Sequence, residues 1–243
     1  MSKLKQTVTI IICIAVIALG IYTLVNPDVF IRYEKDVNYS YTEENGYLVL
    51  TKYNGDGKNI IVPSEINGKP VKSIKGAFCN NLDICNVKVS EGIETIDYMA
   101  FYGCASLIKI YLPDSLKTIG HAAFCGCMSL EKVKTGSSLT EIMPYAFSEC
   151  TFLGKINLPE GLVFIGKDAF LNCRHLEKLK IPASVQVIGG VTEKNDGGDY
   201  SSQAGSTENT SFDGCDALTL IISDKNPVYT IINNVISRKG ESI

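Results

Sequence analysis

The sequence predicts a β-rich solenoid, in which similar coils stack and each coil buries its apolar face against its neighbours. Two observations predict it: an Ala-Phe pair recurs every 23 residues without slippage, and other apolar residues follow each Phe at fixed distances. This self-similarity is typical of repeat architectures. The Ala-Phe pairs lie at Ala77/Phe78, Ala100/Phe101, Ala123/Phe124, Ala146/Phe147 and Ala169/Phe170. An Ile eighteen residues after each Phe gives a second buried column: Ile96, Ile119, Ile142, Ile165 and Ile188.

Composition agrees with a folded domain. The chain has 243 residues, of which 45% are hydrophobic and 20% charged, and its net charge is −3. This balance argues against intrinsic disorder. The acidity also argues against nucleic acid as a partner, because duplex-binding domains are usually basic.

The N-terminus predicts a membrane segment. Lys3 and Lys5 precede Thr7–Val25, which carries no charge. As a helix this run would span about 28 Å, close to the thickness of the hydrocarbon core. By the positive-inside rule the rest of the chain would lie outside the cell. The apolar run is longer than an ordinary signal-peptide core, so we favour an uncleaved anchor over residues 1–26. A signal peptide cleaved near Ala18 and Gly20 is the alternative.

Residues 27–243 divide into a connector and a repeat ectodomain. We predict a polar connector over 27–45 and the ectodomain over 46–243. Within the ectodomain, residues 46–74 are predicted to form an N-terminal β cap, because the first coil of a stack would otherwise expose an apolar face. Turn signals at Asn54–Gly57 and Asn67–Gly68 separate its short strands.

The repeats are predicted over residues 75–189. Each has a compact turn at Ala-Phe, a strand such as Lys109–Leu112, a turn often marked by Pro, and a second short strand. The next Phe in the pattern is Phe212, so the period is interrupted. We expect an extruded, mobile loop over 190–210, because this segment is rich in Gly, Ser, Asp, Asn and Thr. The last repeat and a closing hairpin are expected over 211–243.

Five of the nine cysteines occupy one repeat position, three residues after the Phe. We interpret them as a buried column of reduced thiols, since free Cys is among the most buried residue types. Parallel side chains on neighbouring coils fit such a column better than disulfide geometry. Its members are Cys104, Cys127, Cys150, Cys173 and Cys215.

The sequence contains no convincing catalytic, metal or cofactor site. His175 occupies a repeat position held elsewhere by surface residues, and we interpret it as a surface filler. His121 lies four residues before Cys125, but no third group that would orient a Cys-His pair is evident. Phosphate-binding loops and known zinc or nucleophile motifs are also missing from the sequence. We therefore predict that the protein is not an enzyme.

One surface pattern predicts a binding site. Alternation along each strand places the residues eight and ten positions after the Phe on the outer face of the sheet. Seven lysines fall there, which suits an anionic partner. The alternative is a solvated face on which lysines prevent aggregation, partly neutralised by Glu131 and Glu177. The candidate binding residues are Lys88, Lys109, Tyr111, Lys132, Lys134, Lys155, Lys178 and Lys180.

The repeat resembles that of a known family. The pattern A-F-x-x-C-x-x-L-x-x-I-x-L-P-x-x-L-x-x-I-G over Ala100–Gly120 is similar to the BspA-type leucine-rich repeat. The segments GKNIIVPSEINGKPVKSI and NPVY…NNVIS also resemble opening and closing motifs of that family. The resemblance implies a bacterial, or less often protist, cell-surface protein linked to adhesion. It implies no catalytic residues.

We therefore expect a non-catalytic recognition or adhesion module with its repeat domain outside the cell. Its partner would be an extracellular protein or an anionic glycan or polymer, with no cofactor. The alternative function is a membrane-tethered scaffold or assembly protein of the producer's own envelope. The alternative location is secretion after signal cleavage.

Overall fold

The computed structural model describes residues 39–194, 200–203, 211–232 and 235–239. The anchor predicted for residues 1–26 lies outside these ranges. Within them, no helix has the length and apolar character needed to cross a bilayer.

The described residues form nineteen strands. The first five are β1 (Tyr39–Glu44), β2 (Tyr47–Tyr53), β3 (Asn59–Val62), β4 (Glu65–Ile66) and β5 (Lys69–Ile74). The next eight belong to the regular repeats: β6 (Asn86–Val89), β7 (Thr95–Ile96), β8 (Lys109–Tyr111), β9 (Thr118–Ile119), β10 (Lys132–Lys134), β11 (Glu141–Ile142), β12 (Lys155–Ile156) and β13 (Phe164–Gly166). The last six are β14 (Lys178–Ile181), β15 (Val187–Lys194), β16 (Tyr200–Gln203), β17 (Thr219–Ile222), β18 (Tyr229–Ile232) and β19 (Val235–Arg238).

Each regular repeat contributes one strand to each of two sheets. The larger sheet has the order β1-β2-β5-β7-β9-β11-β13-β15-β16, with β4 beside β5. The smaller sheet has the order β12-β10-β8-β6-β3, and β14 pairs separately with β17. Equivalent residues of successive repeats are directly paired, as Ile119 is with Ile142. This in-register parallel pairing confirms the predicted β-solenoid.

A column of phenylalanine rings occupies the interior. The ring centroids of Phe101 and Phe124 are 5.2 Å apart, as are those of Phe124 and Phe147, and in both pairs the rings lie within 7° of parallel. Phe170 continues the column to Phe212 at 5.6 Å. The repeat therefore resumes in register after the inserted segment.

The turns that carry these rings form a third set of contacts between coils. Phe101 N donates to Ala123 O at 2.7 Å, and Phe124 N donates to Ala146 O at 2.8 Å. Residues just before the Ala, such as Ala122 and Tyr145, have positive φ values of 51° and 59°. Alternate amides of each turn point along the stack: Gly126 N donates to Ser148 O of the next coil, whereas Cys125 N donates to Ala122 O within its own turn. Each turn is therefore bonded to the next.

The cysteines form a hydrogen-bonded column. Cys104 Sγ donates to Phe78 O at 2.9 Å, and Cys127 Sγ donates to Phe101 O at 3.1 Å. Cys150, Cys173 and Cys215 make the same contact with the preceding coil. Eight cysteines in the described ranges are free, and the first four members of this column are buried. The predicted column of reduced thiols is confirmed, and each thiol also serves as a donor to a buried carbonyl.

The ectodomain fold includes residues before the predicted boundary at residue 46. Strand β1 lies within the segment for which the sequence predicts a connector, and it pairs antiparallel with β2. Its first residue, Tyr39, is buried, with its ring centroid 5.6 Å from that of Tyr53 and 6.1 Å from that of Phe78. Tyr39 thus packs against the first ring of the phenylalanine column, a contact outside the repeat pattern.

The inserted segment also differs from the expectation of a loop. β15 continues to Lys194 and pairs antiparallel with β16, Val191 opposite Gln203. A hairpin needs backbone pairing only, so a composition rich in polar residues does not preclude one. Residues 195–199 and 204–210 lie outside the described ranges.

A hairpin lies where the sequence predicts a closing one. β18 and β19 pair antiparallel, and the chain before and within β18 contacts the preceding coil. Asn226 Nδ2 donates to Pro182 O and Val185 O, both at 3.0 Å. The Tyr229 hydroxyl accepts from Ile188 N at 3.0 Å. These contacts tie the hairpin to the edge of the stack.

Replacing one ring of the phenylalanine column should destabilise the whole solenoid. Phe124→Ala removes a fully buried ring from between two others, and we expect a loss of about 3–5 kcal/mol in unfolding free energy. Urea unfolding followed by circular dichroism measures it. Phe152→Ala, at a Phe that is 55% exposed, is the matched control and should cost only about 1 kcal/mol. Equal losses in both variants would contradict the assignment.

Thiol reactivity should separate the cysteine column from the surface cysteine. Burial raises the pKa values of the Cys127 and Cys150 thiols, so these should react with an aromatic disulfide reagent only on unfolding. Cys79 is exposed and should be modified well before Cys127 and Cys150. Peptide mapping after brief labelling tests this, with Cys79→Ala as the control that removes the fast site. Early labelling of Cys127 would show that the column is open to solvent.

Candidate functional site

The register of the smaller sheet aligns the first column of predicted binding residues. Lys132 on β10 lies opposite Lys109 on β8 and Lys155 on β12. Asn86 precedes Lys109 in this column, and Lys178 begins the next strand, β14. Neighbouring strands are about 4.8 Å apart, so three cationic side chains start from adjacent backbone positions.

The second column is also aligned in part. Tyr111 lies opposite both Lys88 and Lys134, whereas Lys180, on β14, lies opposite Ile221 of β17. Lys180 Nζ forms an ion pair with Glu160 at 3.2 Å. We call the eight candidate binding residues in these two columns the lysine face: Lys88, Lys109, Tyr111, Lys132, Lys134, Lys155, Lys178 and Lys180.

Most of the lysine face is open to solvent. Lys109 and Tyr111 are half-buried, and the other six residues are exposed. In the described part of the chain, no carboxylate forms an ion pair with Lys132, Lys134 or Lys155. The alternate residues of the same strands, such as Val133 and Ile110, are buried, as the period of two requires. The lysine backbones are therefore held by the core.

Lysines of the larger sheet are arranged differently. Glu94 accepts from Lys72 Nζ at 2.7 Å and from Lys117 Nζ at 2.6 Å. The hydrogen bond from Lys117 has the largest effect on the Glu94 carboxyl, followed by the one from Lys72, and together they lower its pKa to about 2. Positive charge at Lys72 and Lys117 is thus compensated locally, whereas no carboxylate among the described residues forms an ion pair with Lys132, Lys134 or Lys155.

An apolar ridge, made of Met128, Phe152 and His175, lies three or four residues before the first lysine of each strand. The sequence analysis did not identify it. Met128 and Phe152 are 52% and 55% exposed, on adjacent coils. The His175 ring stacks on Phe152 with centroids 4.6 Å apart and planes 14° apart. His175, interpreted from sequence as a surface filler, is therefore part of an aromatic pair. The sequence does contain a sign of this exposed ring, because Phe152 occupies a repeat position that holds the polar residues Asp83, Ser106 and Ser129 in earlier coils.

The structure disfavours a Cys125–His121 pair. His121 stacks with Tyr98 at 5.7 Å and meets Tyr145 edge-on at 5.5 Å, so its ring is engaged by aromatics of adjacent coils. Burial is the largest influence on Cys125 and raises the pKa of its thiol, which disfavours the nucleophilic thiolate. Over the described ranges, no group of three His, Cys, Asp or Glu side chains is placed to hold a metal ion.

Comparison with protein families identifies the repeat. A sequence model of the BspA type leucine rich repeat region matches residues 72–194 in six copies. The chain belongs to the BspA-type leucine-rich repeat family. Leucine-rich repeat solenoids of this kind are generally non-enzymatic binding modules. No curated protein matches the chain.

Several solved structures share the fold of this BspA-type protein. A leucine-rich repeat protein of T. pallidum is 29% identical, with a TM-score of 0.63, covering 78% of this chain and 81% of its own. A leucine rich cell surface protein of Faecalibacterium prausnitzii is 24% identical, with a TM-score of 0.55, covering 83% and 57%. A leucine-rich repeat protein of Bacteroides ovatus is 24% identical, with a TM-score of 0.51, covering 65% and 49%. The chain thus spans only about half of the last two proteins, which show similarity of fold alone.

The Glu94 ion pairs predict a specific pH dependence. Because the folded pKa is about 2 against an ordinary 4.5, the ion pairs stabilise the fold above about pH 4.5, and this contribution is lost as the pH falls toward 2. The carboxylate side chain is 33% exposed, so the effect should stay below about 1 kcal/mol. Melting curves from neutral to acidic pH should show Glu94→Gln less stable than the wild type at neutral pH and equal to it near pH 2. Lys117→Met should reproduce most of the loss at neutral pH. A constant difference between wild type and Glu94→Gln at all pH values would contradict the assignment.

Proposed function

We propose that this solenoid is a non-catalytic recognition module that binds an anionic protein or polymer through the lysine face. The observation that carries the proposal is the direct pairing of Lys109, Lys132 and Lys155 on adjacent strands. No ion pair from the described residues relieves their mutual repulsion at Lys132 and Lys155. The strand spacing of about 4.8 Å holds the backbones of these lysines close together, so their like charges repel, and an anionic partner would relieve that repulsion.

Repetition would make the binding additive. Each coil offers one or two cations on a backbone held by the same core, so a partner lying along the stack gains one contact per coil. Such binding is expected to weaken with salt, because exposed charges are screened over about 8 Å at physiological ionic strength. Contacts of this kind favour rapid association with polyanions more than high affinity at any single point.

We also propose a location outside the cell, which would suit this role. Thr7–Val25 is long enough to span a bilayer, and Lys3 and Lys5 precede it. The F. prausnitzii protein of the same fold is described as a cell surface protein. We propose that residues 1–26 anchor the chain, with secretion after cleavage as the alternative.

The segment 46–74 is proposed to be the N-terminal cap of the stack. β2 and β3 extend the larger and smaller sheets ahead of the first regular repeat. β1 then covers the outer edge of β2 in antiparallel register. This arrangement would leave no long parallel edge at the start of the larger sheet.

A scaffold within the producer's own envelope is the second candidate. β1 begins at Tyr39, so about twelve residues separate the predicted anchor from the first strand. Twelve residues reach about 40 Å at most. A tether this short favours a partner close to the membrane.

Charge reversal tests the proposal. Full-length protein in neutral detergent is applied to poly-glutamate, to host matrix proteins and to the producer's envelope polymers at low and physiological salt. We expect Lys132→Glu/Lys155→Glu to weaken salt-sensitive binding at least about tenfold, equivalent to about 1.4 kcal/mol. Lys52→Glu/Lys75→Glu, on β2 and before Ala77, is the control of equal charge change and should bind as the wild type does.

The outcomes separate the candidates. Equal loss in both double variants would overturn the lysine face, since net charge alone would then explain binding. Binding to the producer's own polymers without binding to host proteins would favour the scaffold.

A further inference from the structure

We infer that the lysine face and the adjoining apolar ridge together bind an acidic polypeptide segment that carries an aromatic or large aliphatic anchor residue. The inference rests on the proposed function and narrows its partner from any polyanion to a polypeptide. The ridge consists of Met128, Phe152 and His175. Its contacts and its position beside the lysines carry the argument.

The ridge is held in place before any partner arrives. Phe152 N donates to Met128 O at 3.2 Å, which fixes the two residues on adjacent coils. His175 N donates to Thr151 O at 3.1 Å, and its Nδ1 lies 2.8 Å from the same oxygen. Because a carbonyl only accepts, Nδ1 carries the proton, and this bond orients the imidazole against Phe152. A rigid aromatic surface loses little conformational entropy when it binds.

The ridge lies beside the lysine column on the same coils. Phe152 precedes Lys155 by three residues, and His175 precedes Lys178 by three. Three residues span at most about 10 Å. The side chains between them include Leu153 and Leu176, both fully buried, which tie the ridge to the strands. One partner residue could therefore contact the ridge while its neighbours reach the lysines.

The coil that carries Phe152 provides the strongest candidate position. Glu131 and Glu177 immediately precede Lys132 and Lys178 and are exposed. The equivalent residue before Lys155 is Gly154, so this lysine has no carboxylate at that neighbouring position. One coil therefore carries both the exposed Phe152 ring and Lys155, a lysine without a carboxylate at the preceding position.

This combination favours a polypeptide over a uniformly charged polymer. A polyanionic chain has charged groups throughout and nothing to bury against a half-exposed Phe and Met. An extended peptide alternates its side chains, so carboxylates can flank an apolar residue at intervals of a few ångströms. Aromatic and thioether groups also attract an aromatic anchor, and buried aromatic anchors dominate many protein interfaces.

A peptide pair tests the inference. The probes are a peptide with the central sequence Asp-Glu-Phe-Glu-Asp, the same peptide with Ser in place of Phe, and poly-glutamate. Affinities for the full chain in neutral detergent are measured by fluorescence anisotropy. We expect the Phe peptide to bind the wild type at least about tenfold more tightly than the Ser peptide. Phe152→Ser should abolish this preference while leaving poly-glutamate binding unchanged. The effect of removing the peptide's Phe would then depend on Phe152, which indicates that the two rings are in contact.

Leu82→Ser is the matched control. Leu82 is 61% exposed at the Met128 position of an earlier coil, whose strand carries Asn86 rather than a lysine in the first column. This variant should keep the preference for the Phe peptide. Both variants should remain folded with melting temperatures close to that of the wild type, because both side chains are more than half exposed, and Phe152→Ser should lose slightly more because it also loses the His175 contact.

The possible failures are distinguishable. Equal affinity for the two peptides, or an unchanged preference in Phe152→Ser, would overturn the polypeptide inference. If poly-glutamate still required Lys132 and Lys155, the lysine face would survive with a uniformly charged polyanion as its partner. If Lys132→Glu/Lys155→Glu bound poly-glutamate as tightly as the wild type, the proposed function itself would fail.

Discussion

The structure depends on contact between successive coils, since a coil of about 23 residues cannot bury its own apolar face. Three sets of coil-to-coil contacts meet this need: the two parallel sheets, the hydrogen-bonded turns and the phenylalanine column. All three require equivalent residues to be in register. The interrupted period shows how strict the requirement is, because Phe212 still stacks on Phe170 although 42 sequence positions separate them instead of 23.

The same register arranges the surface. A residue that faces outward in one repeat lies about 4.8 Å from its equivalent in the next, so any repeated side chain becomes a column. Buried cysteines use this to satisfy the carbonyl of the preceding coil. Lysines in the same arrangement repel one another, and the core must offset that cost. Lys72 and Lys117 avoid it by sharing Glu94, whereas Lys132 and Lys155 have no such carboxylate in the described ranges.

The contrast between the two sheets bears on function. The ion pairs of Lys72 and Lys117 with Glu94 show that this chain can compensate lysine charges with a nearby carboxylate. On the smaller sheet, the charges of Lys132 and Lys155 have no ion pair among the described residues, and Lys155 follows the exposed Phe152 on the same coil, a combination that costs stability and solubility without a partner. A binding face accounts for both features together, because a partner with acidic and apolar groups would remove both costs.

The sequence by itself determined the features that repeat: the solenoid, the phenylalanine and cysteine columns, and the alignment of the lysines. Periodicity reports contacts between equivalent positions, so each repeat confirms the others. Only the tertiary structure revealed the contacts that occur once. Tyr39 packs against Phe78 from a segment expected to be a connector, the insertion pairs as a hairpin, and His175 stacks on Phe152. Such contacts join positions that are not equivalent, and a repeat pattern carries no signal for them.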